Sequence, residues 1–281
     1  MLAAFFWAVS GSSAKFLFNN GMSPVQLVQL RVTIASALVF ISLFIYNRSL
    51  LKIERKDILY FIVLGAICFA SAQFTYLFTI SKIHVAAAIL LQYLSPGLIA
   101  LYSVVFVRDK LAITFILSLL GATLGCYMVV GAYNLNMLNL NFAGIVGGLL
   151  SAVSFAWYSI QGEYGMRRYN PWTVLFFSLF FAAIPWNIFT PPLSAFFRPY
   201  TTVEWGWILY IAVFGTAVPF GLYLKGISLI HATRASITAT LEPITAGILS
   251  YLFLDEKMEL LQIFGGLLVI SSIILLQLKD R

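Results

Sequence analysis

One acidic side chain interrupts an apolar stretch near the end of the chain, which reads LEPITAGILSYLFLDEK over residues 241–257. Glu242 stands directly before Pro243, inside the apolar run and not at its edge. A carboxylate that leaves water loses its hydration, so a buried acid needs a partner, a proton or a ligand. Three roles compete for Glu242: recognition of a substrate amine, transfer of a proton, and a salt bridge with Arg31 or Lys15.

Two basic side chains also stand inside apolar runs. Arg31 lies about two turns into its segment, where its guanidinium can bind a carboxylate through two parallel hydrogen bonds. It can equally extend along the helix to the nearest polar interface. Lys15 lies nearer the end of its segment, and this position favours extension to the interface. The sequence leaves both roles open for Arg31.

Polar and aromatic side chains recur at helical spacing within the apolar runs. Side chains three or four residues apart share a face of a helix, and a glutamine amide needs partners that an apolar medium cannot supply. Taken one at a time, each of these faces could be explained by hydrogen bonds between helices. Together the faces predict one polar, aromatic cavity, which suits a small zwitterionic or amphipathic metabolite better than a bare ion. The predicted substrate-binding residues are Trp7, Ser10, Arg31, Gln73, Tyr76, Gln92, Tyr93, Trp157, Tyr158, Gln161, Tyr223 and Glu242.

Pro96, Pro219 and Pro243 stand within apolar runs. A proline inside a helix removes one hydrogen bond and crowds the carbonyl four residues before it. The carbonyls concerned are those of Gln92, Gly215 and Ala239. In an apolar medium each of them needs a new partner in the protein or in a water-filled cavity. We predict that the three prolines act as hinges or cavity walls; the alternative is a packing kink without a role in binding.

The composition defines the environment of these side chains. Hydrophobic residues make up 61% of the 281 residues and charged residues 10%, against ~25% charged residues in soluble domains. Long apolar runs without ten-residue alternation predict an all-α polytopic membrane protein and exclude soluble and nucleic-acid-binding classes. Cys68 and Cys126 predict no disulfide. His84 and His231 stand at matched helix starts, where capping or loop packing is favoured over proton relay, and we expect no metal, no cofactor and no enzyme activity.

Ten apolar segments can be marked, and their short connections favour antiparallel neighbours. The basic residues set the orientation. With the N-terminus in the cytoplasm, the inner loops hold 12 lysines and arginines and the outer loops hold 3. We therefore expect both termini to be cytoplasmic. The predicted segments are 2–18, 25–46, 58–80, 85–107, 113–132, 142–161, 172–190, 205–224, 233–254 and 260–278.

The chain contains an internal duplication at an offset of 147 residues. Residues 76–110 share 12 identities with residues 223–257 without a gap, and hydrophobicity alone does not align the matched histidine, proline and lysine. Five segments separate the copies, so the two halves are inverted, as is typical of secondary transporters. Glu242 aligns with Ser95. The site is therefore chemically asymmetric, as binding one polar substrate would require.

Several motifs together carry a family resemblance. They are FFWAVSGSSAKF in the first segment, the arginine of QLRVTIASAL in the second, LSPGLIALYSVVFVRDK in the fourth, and LEPITAGILSYLFLDEK followed by GGLLVISSIILL in the last two. The chain resembles the drug/metabolite transporter superfamily, specifically the EamA-type ten-helix transporters. The resemblance implies one transmembrane domain of two inverted five-helix repeats, at residues 1–135 and 136–281, in the inner membrane.

The resemblance also implies a function. It indicates a secondary transporter that moves amino acids or related small metabolites, with export as the expected direction, by alternating access. Facilitated diffusion and proton exchange both stay open as mechanisms, and Glu242 is the candidate coupling group. Two alternatives are uptake of an anionic metabolite held by Arg31 and a membrane scaffold or sensor that transports nothing.

The expected partners follow from this interpretation. They are a small-molecule substrate, the lipid bilayer and, under proton exchange, protons; nucleic acid is not expected. The motifs Gly121-x-x-x-Gly125 and Gly144-x-x-x-Gly148 allow helices to approach closely. We expect that packing mainly within the bundle, and a monomer or a weak dimer.

Overall fold

The computed structural model describes residues 2–108, 112–133, 141–254 and 259–278. These residues form ten helical segments and no β-strand, and six helical stretches among them are long and apolar enough to cross a membrane. The predicted all-α polytopic membrane fold is confirmed. The segments are α1 (Leu2–Asn19), α2 (Pro24–Tyr46), α3 (58–82), α4 (Val85–Val107), α5 (Ile113–Val129), α6 (Phe142–Met166), α7 (Pro171–Ile188), α8 (202–230), α9 (232–254) and α10 (Leu260–Leu278).

Several of these segments are irregular inside. π-Helical turns widen α3, α4 and α8, and α4 and α9 are each interrupted shortly before a proline. The parts of α3 are Ile58–Ile62, the π-turn Val63–Phe69 and Ala70–Lys82; those of α4 are Val85–Gln92, Ser95–Tyr102 and the π-turn Ser103–Val107. α8 begins with Thr202–Ala212 and the π-turn Val213–Ala217. The stretch Val218–Ala239 then contains the end of α8 and the start of α9, which meet at the non-helical His231. α9 continues as Leu241–Leu254. Short 3₁₀ helices lie at Arg48–Leu51, Arg55–Asp57 and Ser194–Phe197.

The helix ends depart from the predicted segments by a few residues. A capping box at Thr201 and Glu204 starts α8 at Thr202, three residues earlier than the apolar run. α6 continues to Met166, beyond its predicted end at residue 161. The reason is that a helix satisfies its own backbone whether its side chains are polar or not, so hydropathy marks the extent of the hydrocarbon region and not the end of the helix.

The two halves make matching contacts. α3 packs against α6, as α8 packs against α1, and α4 packs against α6, as α9 packs against α1. α3 also contacts α7, as α8 contacts α2, while the pairs α2–α7 and α5–α10 are their own equivalents. The duplication therefore appears in the packing as well as in the sequence. The predicted repeat boundary between residues 135 and 136, and the charged ends of both motif copies at 109–110 and 255–257, lie outside the described residues.

Both glycine motifs are used within the bundle. Gly121 and Gly125 lie against α10, where a side chain on either glycine would collide with that helix. Gly144 and Gly148 lie equally close to side chains of Ile83 and α4. Close approach of helices is what such motifs permit, and here it fixes neighbours of the same chain.

Candidate functional site

A narrow cavity lies among helices of both halves. Its volume is about 30 Å³, room for about two water molecules. Seven helices contribute side chains to it, namely α1, α2, α3, α4, α6, α8 and α9. The lining residues are Trp7, Ser10, Arg31, Ala72, Gln73, Tyr76, Gln92, Tyr93, Ser95, Phe155, Phe220 and Glu242.

Eight of the twelve predicted substrate-binding residues share this cavity, and they are Trp7, Ser10, Arg31, Gln73, Tyr76, Gln92, Tyr93 and Glu242. They come from the first four helices and from α9, which is far from them in the sequence. The structure thus brings together side chains that the sequence could group only by composition and helical spacing. Their role in binding a substrate stays a prediction.

The other four predicted residues lie elsewhere. Trp157 faces outward with 43% of its surface exposed, and Gln161 accepts a hydrogen bond from Tyr60 on its backbone carbonyl. Tyr158 is fully buried among other aromatic rings. Tyr223 packs beside the cavity against Trp7. Helical spacing shows which side chains share a face but not which way that face points, and this is why the expectation of one common wall fails for these four.

Glu242 is 6% exposed and lies between two tyrosines. Tyr93 Oη is 2.9 Å from Oε2 of Glu242, and Tyr76 Oη is 3.5 Å from Oε1. Within the described part of the chain, no ion pair joins Glu242 to a basic residue. The salt bridge with Arg31 or Lys15 that the sequence left open is therefore not formed in this conformation.

Arg31 is 2% exposed and is held by α8. Its Nε donates to Thr216 Oγ1 at 2.9 Å, and its Nη2 donates to the Gly215 carbonyl at 3.0 Å. That carbonyl lacks the usual helical donor four residues later because Pro219 has no N–H. The third nitrogen, Nη1, has no hydrogen-bond partner within the described ranges. Arg31 thus lines the cavity and does not extend to the membrane interface.

The carbonyl that Pro243 leaves free is also satisfied inside the protein. Tyr93 Oη lies 2.6 Å from the Ala239 carbonyl oxygen. The prediction that proline-freed carbonyls take new partners is confirmed for Gly215 and Ala239. In both cases the new partner is a side chain of the other half that lines the cavity. Pro219 and Pro243 thus each lead to a hydrogen bond between the two halves at the site. Whether the prolines act as hinges stays a prediction.

Three buried polar atoms of the cavity lining have no hydrogen-bond partner among the residues that the structure describes. They are Arg31 Nη1, Gln73 Nε2 and Ser95 Oγ, on three different helices. The two nitrogens can only donate, and the hydroxyl can donate or accept. Leaving such a group unbonded in a protein interior costs roughly 1–3 kcal/mol. The cavity therefore has a wall of free donors that a ligand with acceptor oxygens would satisfy.

Four lining residues are absent from the predicted set, namely Ala72, Ser95, Phe155 and Phe220. The duplication could have found Ser95, because it is the repeat equivalent of Glu242. Phe155 and Phe220 pack against the indole of Trp7, with ring centroids 6.1 and 5.0 Å away. Phenylalanines in apolar runs give no signal of their own, so sequence patterns could not separate these two from the others.

Outside the cavity, two charged side chains bind backbone groups at the connections between successive helices, namely the α3–α4 link and the α8–α9 link. Lys15 Nζ donates to the carbonyls of Ile80 and Ile83 at 2.8 and 3.1 Å, at the end of α3. It therefore binds the protein and not the membrane interface that its position favoured. Glu163 accepts from the Ala232 N–H at 2.8 Å and contacts His231 Nδ1 at 2.7 Å, at the start of α9.

Comparison with known proteins gives consistent relatives. The EamA-like transporter family matches residues 1–131 and 142–278. The chain is 29% identical to the "uncharacterized inner membrane transporter YicL" of Salmonella typhimurium LT2, over 100% of this chain and 94% of YicL. It is 26% identical to the pseudopaline exporter CntI of Pseudomonas aeruginosa PAO1, over 98% of this chain and 93% of CntI.

A solved crystal structure agrees at the level of the fold. It aligns with a TM-score of 0.78 over 99% of this chain and 94% of its own, at 18% sequence identity, which shows the fold alone. The family match covers nearly the whole chain in two segments, and the relatives are named as transporters. The chain therefore belongs to the EamA-like transporter family and is a multi-pass membrane transporter of small molecules.

Proposed function

We propose that this transporter exports amino acids or related small zwitterionic metabolites across the inner membrane by alternating access. The observation that carries the proposal is that Arg31 and Glu242 line the same cavity and are not bonded to each other. A zwitterion brings one carboxylate and one ammonium group. It would satisfy both side chains at once, whereas a bare cation or anion would satisfy one.

The free donors sharpen this assignment. Arg31 Nη1, Gln73 Nε2 and Ser95 Oγ offer hydrogen bonds that no group of the described protein accepts. A substrate carboxylate supplies the required acceptors, and the ammonium group of the same substrate would then bind Glu242. The indole and phenyl rings of Trp7, Phe155 and Phe220 supply the apolar part of the wall.

The same donors keep a second candidate open, which is uptake of an anionic metabolite held mainly by Arg31. The two candidates differ in what they ask of Glu242. A zwitterion needs an ionised carboxylate for its ammonium group, while an anion is repelled by one. Glu242 is therefore the residue whose substitution separates them.

The cavity of about 30 Å³ is too small for any amino acid, so the proposed cycle must pass through wider conformations. The interruptions of α4 and α9 before Pro96 and Pro243 offer places where each half can bend. The CntI relative is named as an exporter and YicL as an inner membrane protein. These names, with the distribution of basic residues, support export, an inner-membrane location and cytoplasmic termini.

Counterflow in proteoliposomes tests the proposal. A panel of labelled amino acids and of carboxylates without an amine is offered to wild type and to Glu242→Gln, with protein-free liposomes as background. We expect wild type to exchange at least one labelled amino acid, and we expect Glu242→Gln to have lost that exchange. Exchange of carboxylates that Glu242→Gln leaves intact or improves would favour the anion candidate, and no exchange of either class would contradict the proposed substrate.

Proton coupling needs a separate arm of the same experiment. Net export of the exchanged amino acid is measured with and without an inward proton gradient. We expect the gradient to accelerate export several-fold in wild type. Equal rates in the two conditions would remove the coupling and leave facilitated diffusion.

A further inference from the structure

The hydroxyl of Tyr93 lies between two oxygen atoms that normally accept hydrogen bonds. One is the Ala239 carbonyl oxygen at 2.6 Å, and the other is Oε2 of Glu242 at 2.9 Å. Both distances are within the usual range for an O–H···O hydrogen bond. A tyrosine hydroxyl carries a single proton, so it can donate one full hydrogen bond, and the second contact becomes a full hydrogen bond only if its partner supplies another proton.

Tyr93 supplies one of these protons, and the carbonyl supplies none. The Ala239 carbonyl lacks the usual helical donor four residues later because Pro243 has no N–H, and its contact with Tyr93 is the shorter of the two. The tyrosine proton is thus directed to the carbonyl. We infer that Glu242 is protonated in this conformation and donates its proton to Tyr93 Oη, which in turn donates to the Ala239 carbonyl.

The surroundings of Glu242 agree with a neutral acid. The ionisable groups near it are Tyr76 on α3, Tyr93 on α4, Arg31 on α2 and Cys126 on α5, whose Sγ lies 4.0 Å from the carbonyl oxygen of Thr240. The two hydroxyls and the thiol are neutral near pH 7 in their ordinary state. Arg31 is the cation of this group, and it is bonded to α8 instead.

The duplication restricts this proton site to one half of the molecule. Pro96 is the repeat equivalent of Pro243 and frees the Gln92 carbonyl, but the residue before it is Ser95 and not an acid. The equivalent of Tyr93 in the second half is Thr240, whose hydroxyl donates to the Ile237 carbonyl. The described part of the chain therefore holds one proton site of this kind, and its ligand is a single proton.

This inference explains how exchange could be obligatory, and in that respect it rests on the proposed function. A substrate ammonium group and the proton compete for the same carboxylate. When the ammonium binds, the O–H bond of Glu242 breaks and its proton leaves to water. The tyrosine proton then turns from the Ala239 carbonyl to the new carboxylate, so one proton is released for each ammonium group bound.

Infrared spectroscopy of the purified protein tests the proton site without any substrate. The carbonyl band of a protonated carboxylic acid, assigned by its loss in Glu242→Gln, is followed as the pH is raised. We expect the band to be present at pH 7 in wild type. Its absence at pH 7, or its persistence in Glu242→Gln, would overturn the inference.

Pro243→Ala provides the specific variant, and Pro96→Ala is its matched control. An alanine at 243 restores an N–H for the Ala239 carbonyl, which frees the tyrosine proton for Glu242. We expect the carboxylic band of Pro243→Ala to disappear at a pH lower than in wild type by roughly one unit or more. Pro96→Ala, which frees no partner of Glu242, should titrate as wild type does. Equal titration of Pro243→Ala and wild type would contradict the role of the carbonyl.

The two proposals fail in distinguishable ways. If no amino acid undergoes counterflow but the band and its shift appear, the substrate assignment is wrong and the proton site stands. If an amino acid exchanges but the band is absent, the substrate assignment stands and Glu242 is ionised. Proton release on addition of the exchanged amino acid, measured with a pH indicator, should amount to about one per molecule in wild type and none in Glu242→Gln.

Discussion

α4 and α9 occupy equivalent places in the two halves, and both are interrupted one turn before a proline. The residue that precedes the proline is Ser95 in α4 and Glu242 in α9, and both side chains line the same cavity. The backbone break is thus common to the two halves, while the side chain at the break is not. Under the proposed function, the shared break would let each half bend in the same way, and the different side chains would fix the orientation of one substrate.

The links that lead into α4 and α9 are likewise held at equivalent places by different side chains. Lys15 on α1 binds carbonyls at the end of α3, and Glu163 on α6 binds an N–H at the start of α9. α1 and α6 are equivalent helices, and the two links lie at opposite faces of the bundle. Each charge has the sign that its helix end favours, because carbonyls crowd at the C-terminal end and N–H groups at the N-terminal end.

The largest expected effect comes from moving the carboxylate between the halves. Glu242→Ser should reduce exchange at least about 100-fold, because the substrate ammonium group then has no carboxylate to bind in the cavity. Adding Ser95→Glu should not restore it, since Thr240 replaces Tyr93 beside the new acid. Counterflow measures both variants, with the buried Ser118→Ala outside the cavity as a control. Recovery to wild-type rates in the double variant would show that the half carrying the acid is unimportant.

The second prediction concerns the link between α3 and α4. Lys15→Met removes two hydrogen bonds from a charged donor and should favour opening at that face by roughly 1–3 kcal/mol. A cysteine at Val85, in a background without Cys68 and Cys126, should then react faster with a hydrophilic maleimide. Lys82→Met is the matched control, because the Lys82 ammonium donates to neither of the carbonyls that Lys15 binds. Equal reactivity in both variants would mean that Lys15 does not hold this link.

The link between α8 and α9 should respond less strongly. Glu163→Gln keeps one acceptor for the Ala232 N–H and loses a partly exposed charge beside His231, so we expect at most about 1 kcal/mol. The change should raise the reactivity of a cysteine at Thr233 and leave one at Val85 unaffected. A rise at Val85 instead would contradict the assignment of the two links to opposite faces.

The smallest effect concerns the two histidines that the duplication aligns. His231 has φ 66° and ψ 160°, a strained conformation for a residue with a side chain, while His84 has φ −63°. His84→Gly should destabilise by about 0.5–1 kcal/mol. His231→Gly should be neutral or stabilising, because relief of strain offsets the lost contact with Glu163. Thermal melting of the two variants in one detergent compares them, and equal losses would argue against strain at His231.

Hydropathy and charge predicted the ten helical segments, because a membrane span must satisfy its own backbone and must be long enough to cross. They could not place helix ends such as those of α6 and α8, which lie beyond the apolar runs. The same limit applies to the interruptions of α4 and α9. Their prolines were visible in the sequence, but the new partner of the Ala239 carbonyl is Tyr93, on a helix from the other half.

The cavity was predictable to the extent that its residues are unusual for a membrane span. Glu242, Arg31 and Gln73 are costly in hydrocarbon, and that cost marks them in the sequence as side chains that must face protein or a polar cavity. Trp157 and Tyr158 are not costly, and their direction is decided by packing between helices. Ser95 shows what was missed: its chemistry is ordinary, and only its alignment with Glu242 marks it.

Alternating access requires the cavity between the two halves to open in turn to each side of the membrane. Ala72 lines the cavity and is buried, so a cysteine there reports access with little disturbance. In a background without Cys68 and Cys126, membrane-impermeant thiol reagents are applied from either side of oriented vesicles, with the buried Ala88→Cys outside the cavity as control. We predict that Ala72→Cys reacts from both sides and is protected by the exchanged amino acid, while Ala88→Cys does not react. Reaction from neither side, or from one side alone under all conditions, would contradict alternating access.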